Sequence, residues 1–150
     1  MSFTLFVLAA AGTIVDCEKV QGAVAQDQCY LSQSLAADPP FDCINRKTQS
    51  DMNVCSFRDY LRSDIELNQV WGQVTASRRG SSPPSRINPK SEFGMLRDAQ
   101  RAWLIYREKH CDGLGKRYDG GTIQSLVIGS CLSEITKLRI SELKYLLDDN

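Results

Sequence analysis

Six cysteines in a chain of 150 residues constrain the fold more than any other feature, because their spacing decides what can hold them. The stretches "DCEKVQGAVAQDQC" (16–29) and "DCINRKTQSDMNVC" (42–55) share one pattern, Asp-Cys, eleven residues, Cys, and little else. Along the chain the gaps between cysteines are eleven, thirteen, eleven, fifty-five and nineteen residues. Structural zinc takes its thiolates in close pairs, about two to four residues apart, so a zinc ribbon or finger does not fit. An even set of cysteines in a small chain reads instead as a disulfide framework formed in an oxidising compartment. About fifteen connectivities are open to six cysteines. Local closure and the repeated spacing select Cys17–Cys29, Cys43–Cys55 and Cys111–Cys131, each worth about 3 kcal/mol in the chain-entropy model.

Helical periodicity fills the space between these staples. Phe57, Tyr60, Asp64, Leu67, Trp71 and Val74 recur at three and four residues, one stripe of a helix expected from about Gln49 to about Ser77. Thr48 with Asp51 three positions on supplies a capping-box start. The segment "SRRGSSPPSRINP" (77–89) then interrupts with one Gly, three Pro and four Ser, a composition that cannot continue a helix. A second helix is expected from Ser91, presenting Leu96, Ala99, Trp103 and Tyr106 and ending at Cys111 before the glycines of "GLGKRYDGGT". A third is expected from about Ile123 to about Leu147, presenting Val127, Cys131, Ile135, Leu138 and Leu146. No stretch alternates long enough to be a strand. The fold class is all-α: a small antiparallel bundle of three main helices, disulfide-stapled, with an irregular N-terminal extension. A second full core does not fit in this length.

Several function classes are excluded early. Eighteen basic and eighteen acidic side chains cancel, so no global field gathers nucleic acid or an anionic membrane surface. "MSFTLFVLAAAG" is an apolar run closing on Ala9-Ala10-Ala11, the small-residue pattern of a leader cleaved after Ala11; it lacks the usual basic start and is too short to span a bilayer. The expected organisation is a leader over 1–11, an extension with one disulfide over 12–42, and a helical domain over 43–147, in a periplasmic or secreted protein. No phosphate loop, no His-Glu-x-x-His and no serine elbow occurs. The single histidine, His110, stands beside a cysteine already assigned to a bridge, so neither an enzyme nor a metal or cofactor is expected.

One carboxylate stands out. Asp64 sits in the middle of an apolar stripe, where an unpaired charge is expensive. Arg107 and Arg139 each face inward on their own helices, and Asp64 is expected within salt-bridge reach of one or the other, as an internal ion pair that sets helix register. Trp71 and Trp103 read as core, and Asn68 and Gln100 as internal hydrogen-bonding partners.

The stretches "CINRKTQSDMNVC", "SDIELNQVW", "LRDAQRAWLIYREKHC" and "GGTIQSLVIGSCLSEITKLRISEL" together resemble the LprI-type lysozyme inhibitor family. The resemblance covers Cys43 to about Leu146 and rests on the order Cys43, Cys55, Asp64, Leu67, Asn68, Gln100, Arg101, Trp103, Arg107, Cys111, Gly121, Cys131, Thr136, Arg139. It implies a helical, disulfide-stapled exported domain with lysozyme inhibition as its activity. The 77–89 loop is longer than is usual for the family, and the Asp16 to Cys29 module reads as an additional staple outside the common domain.

A muramidase works with two carboxylates in a cleft, so an inhibitor needs a protruding, complementary element. Two loops carry suitable charge: residues 76–90, with Arg78, Arg79, Arg86 and Lys90, and "GKRYDGGT", with Lys116, Arg117 and Tyr118. The second is preferred, because the Cys111–Cys131 bridge would brace it and Tyr and Arg are anchoring residues at interfaces. A reading from another class is a non-inhibitory cell-envelope module that binds a different protein or a glycan.

Overall fold

Thr48 Oγ1 accepts the Asp51 N–H at 3.0 Å and Asp51 Oδ2 accepts the Thr48 N–H at 3.0 Å, so the capping box is formed. In this computed structural model, which describes residues 15–37, 40–80, 83 and 86–148, the helix begun there is one of four. These are α1 (Ala23–Leu35), α2 (Gln49–Arg78), α3 (Glu92–Lys116) and α4 (Gln124–Asp148), with a 3-10 turn at Cys17–Lys19 ahead of α1. No strand occurs among the described residues. The leader expected over 1–11 lies outside them.

Four helices rather than three is a correction, and α1 explains why it was not expected. It follows Gly22, whose φ of 92° suits glycine, it has no side-chain cap, and none of its residues is fully buried. Other elements hold it in place. Cys17–Cys29 ties it to the 3-10 turn, and Arg58 of α2 donates to Ser34 Oγ at 3.1 Å and to the Ser34 carbonyl.

Consecutive helices alternate in direction, yet the broadest packing is between α2 and α4, which run parallel. Asn53 donates to the Thr122 carbonyl at 2.9 Å at one end, Ser63 and Ser133 hydroxyls meet at 3.4 Å, and Lys144 pairs with Glu66 at 2.7 Å further along. Small residues permit this approach: a Cβ on Gly129 would stand 2.6 Å from Ser56 Oγ and 3.2 Å from the Phe57 nitrogen. The apolar core lies toward the other end, where Leu67, Val70, Val74, Ile140 and Leu143 pack with Trp71, Trp103 and Leu104 against them. Bridges Cys43–Cys55 and Cys111–Cys131 sit at the opposite, small-residue end.

The inner faces of α3 and α4 also differ from expectation. On α3 the buried positions are Phe93, Gly94, Gln100, Arg107, Cys111 and Gly115, while Ala99 and Tyr106 are exposed. The helix is turned by one residue, about 100°, because its inward stripe carries polar groups that an apolar template passes over. On α4, Thr136, Ile140 and Leu143 point in and Leu138 is 67% exposed. Phe57, placed on the inner stripe of α2, is 40% exposed. Nor does α3 end at Cys111: it continues to Lys116, and Gly115 within that last turn lies against Ile128, where a Cβ would collide.

Candidate functional site

Where α2, α3 and α4 meet above the apolar core, the centre of the molecule is polar. Arg107 Nη1 donates to Asp64 Oδ1 and, at 3.0 Å, to Thr136 Oγ1; its Nη2 donates to Tyr60 Oη at 3.2 Å. The guanidinium carbon lies 5.2 Å from the Tyr60 ring centroid and 5.2 Å from that of Trp103, so two aromatic faces enclose the cation. Asn68 completes the carboxylate's shell, donating to Asp64 Oδ2 at 3.1 Å and to the Asp64 carbonyl at 2.8 Å. Asp64, Arg107 and Thr136 are all buried. Burial first, and then the Asp64 charge, push the Tyr60 phenol up to about 12, so it stays protonated throughout the neutral range.

Arg139 is not part of this pair. Its Nη1 takes Glu142 at 2.6 Å, its Nε donates to Gln100 at 2.9 Å, and its guanidinium lies 5.8 Å from the Trp103 centroid. Of the two arginines expected to reach Asp64, only Arg107 does; Arg139 is held by Glu142 and Gln100 instead. Trp71 and Trp103 are half-buried against the core.

The sequence reading missed three participants. Arg58, 4% exposed, donates to Ser34 and to Cys43 Sγ at 3.3 Å. Its spacing of three from both Cys55 and Leu61 was the available signal. Thr136 is fully buried with its hydroxyl committed to Arg107. Asp27 on α1 was missed because that helix itself was not expected, yet its carboxyl lies close to Asp64 and its Oδ2 is buried without a partner.

Two carboxylates this close repel unless one of them takes up a proton. Desolvation, then the hydrogen bond and charge of Asp64, raise Asp27 to about 7, against the opposing pull of Arg107. With a folded pKa above the unfolded 3.8, the native state holds a proton that the unfolded chain releases. This contribution is therefore full below the unfolded value and is lost as pH rises through about 7. Asp27 is half exposed, so solvent screening limits the effect to about 1 kcal/mol. Urea melts at about pH 5 and about pH 8 should show that loss in the native protein and its absence in Asp27→Asn; an equal slope in both would show that Asp27 does not titrate in this range.

The turn between α3 and α4 holds the other expected site residues. Lys116 pairs with Asp119, the Arg117 N–H closes on the Leu114 carbonyl at 3.3 Å, and Tyr118 is 42% exposed. Gly120 takes a φ of 73° to reverse the chain, and Cys111–Cys131 ties the two helices just behind it. Every described cysteine is in a disulfide, and no cluster of three or more His, Cys, Asp or Glu able to hold a metal occurs among the described residues.

Residues 43–143 match the family described as Lysozyme inhibitor LprI. An uncharacterized protein of Rhizobium meliloti (strain 1021) is 32% identical over 123 residues, covering 80% of this chain and 88% of that protein. The uncharacterized protein YecT of Escherichia coli is 27% identical over 81 residues, 47% of this chain and 48% of YecT. No solved structure matches the chain.

Proposed function

The chain belongs to the LprI family of lysozyme inhibitors, and we propose that it is an exported binding domain that blocks a lysozyme or a related muramidase. The family match across the helical domain carries this reading. Three disulfides support an oxidising, extracytoplasmic setting. No helix among the described residues is long and apolar enough to cross a membrane.

The element proposed to enter the enzyme's cleft is the α3–α4 turn, with Lys116, Arg117 and Tyr118. A turn clamped by a bridge loses little freedom on binding. An exposed tyrosine beside an arginine supplies an anchor and a charge facing the carboxylates of a muramidase. Because Lys116 is already paired with Asp119, Arg117 is the cation free to turn outward toward a partner. Lytic rates of animal-type and phage-type lysozymes, read by turbidity against increasing inhibitor, test the reading. Arg117→Ala with Tyr118→Ala should weaken inhibition by roughly 10- to 100-fold. Undiminished inhibition by that variant would remove the turn from the interface. If the native protein neither binds nor slows any lysozyme, the inhibitor reading fails and the non-inhibitory envelope module replaces it.

A further inference from the structure

At the end of the bundle away from that turn, the C-terminal turn of α2, the segment 86–91 and the first turn of α3 enclose a cavity of about 230 Å³. Arg78, Arg79 and Arg86 line it, together with Asn88, Ile87 and Phe93. Three guanidiniums gathered round one cavity repel one another unless something negative stands between them. The charge available within the fold does not suffice. Glu92 is the one carboxylate in the lining, and it faces Arg78 alone at 3.1 Å. Arg78 is spent twice, on Glu92 and on the Leu146 carbonyl of α4, which fixes its position as a wall of the cavity. Arg79 and Arg86 make no ion pair among the described residues. The Nε groups of Arg78 and Arg79 are buried without a hydrogen-bond acceptor, so what these side chains offer the cavity is their charge.

We infer that this cavity is a binding site for a phosphoryl group, either free or carried on a larger envelope molecule. After Glu92 is subtracted, the lining carries two positive charges, the complement of a phosphate monoester dianion. Planar guanidinium forks match such an oxyanion in geometry as well as charge. The space equals roughly eight water volumes, more than a bare phosphate fills, and Ile87 and Phe93 give the remainder an apolar wall against which an attached organic group packs. The site is separate from the α3–α4 turn, so it stands or falls independently of lysozyme inhibition.

Calorimetric titration of the full chain at constant ionic strength, with inorganic phosphate, glucose 1-phosphate and sodium chloride, tests the assignment. Saturable binding of phosphate and the sugar phosphate, with a Kd of about 1 mM or tighter, is expected, and none for chloride. Arg86→Gln, at an exposed position, and Arg79→Gln should each weaken it roughly tenfold, whereas Arg117→Gln at the far turn should leave it unchanged. Vesicles containing phosphatidic acid form a second arm. Vesicle binding displaced by free phosphate would identify a lipid headgroup as the source of the phosphoryl group, and absence of vesicle binding would identify a soluble one. No saturable phosphate binding, or equal binding by the native protein and both cavity variants, would overturn the proposal.

Discussion

Replacing Arg107 with Met should cost about 3–5 kcal/mol, because it leaves the Asp64 carboxylate buried and unpaired in the middle of the bundle. Against a total stability of roughly 5–15 kcal/mol, that is a large share, and it should lower the melting temperature on the order of 10 °C. Four interactions go at once: the ion pair to Asp64, the donors to Thr136 Oγ1 and to Tyr60 Oη, and the contact between the cation and the Tyr60 and Trp103 rings. The pair itself contributes far less than this loss suggests, since each charge was desolvated to make it. Asp64→Leu combined with Arg107→Met removes both charges together and should recover most of the stability. A double-mutant cycle in urea separates the two effects. A single-variant loss below about 1 kcal/mol would mean that water already reaches the pair.

This pair also shows how far the sequence could be read. A lone carboxylate on an apolar stripe demanded a cation, and of Arg107 and Arg139 the structure supplies the first. Helix starts were legible for the same kind of reason: Thr48 with Asp51, and Ser91 accepting the Gly94 N–H at 3.0 Å, are local hydrogen bonds encoded within a few residues. The cysteine pairing was legible because each bridge closes a short loop. What stayed hidden depends on faces that are buried and polar. Arg107 and Gln100 read as inward, but a search for apolar residues also places Ala99, Tyr106 and Leu138 on the inner faces, where the structure instead has the polar Gln100, Arg107 and Thr136. The parallel pairing of α2 and α4 rests on Ser56, Ser63, Gly129 and Ser133, whose contribution is smallness rather than hydrophobicity. Helix α1 is short and buries none of its residues fully, so its apolar positions gave too weak a signal to separate it from loop.

Removing Cys111–Cys131 and removing Cys17–Cys29 should have different consequences, although closure of either loop is worth about 3 kcal/mol by chain entropy alone. The loops span 20 and 12 residues in sequence, and the logarithm makes that difference small. What differs is the structure each bridge is joined to. Cys111 is fully buried between α3 and α4, behind the turn proposed to meet the lysozyme. Cys111→Ala with Cys131→Ala should therefore lower global stability by about 3 kcal/mol and weaken inhibition by loosening the turn. Cys17–Cys29 instead ties down a helix with no fully buried residue of its own. Cys17→Ala with Cys29→Ala should open α1 locally while α2, α3 and α4 keep their cooperative unfolding. Hydrogen exchange read along the chain distinguishes the outcomes: protection lost only over 23–35 for the second variant, and across α3 and α4 for the first. If removing Cys17–Cys29 lowered protection of Arg107 and its neighbours as strongly as removing Cys111–Cys131, α1 would be an integral part of the core. The carboxyl it places on Asp64 would then be one of the contacts on which the whole bundle depends.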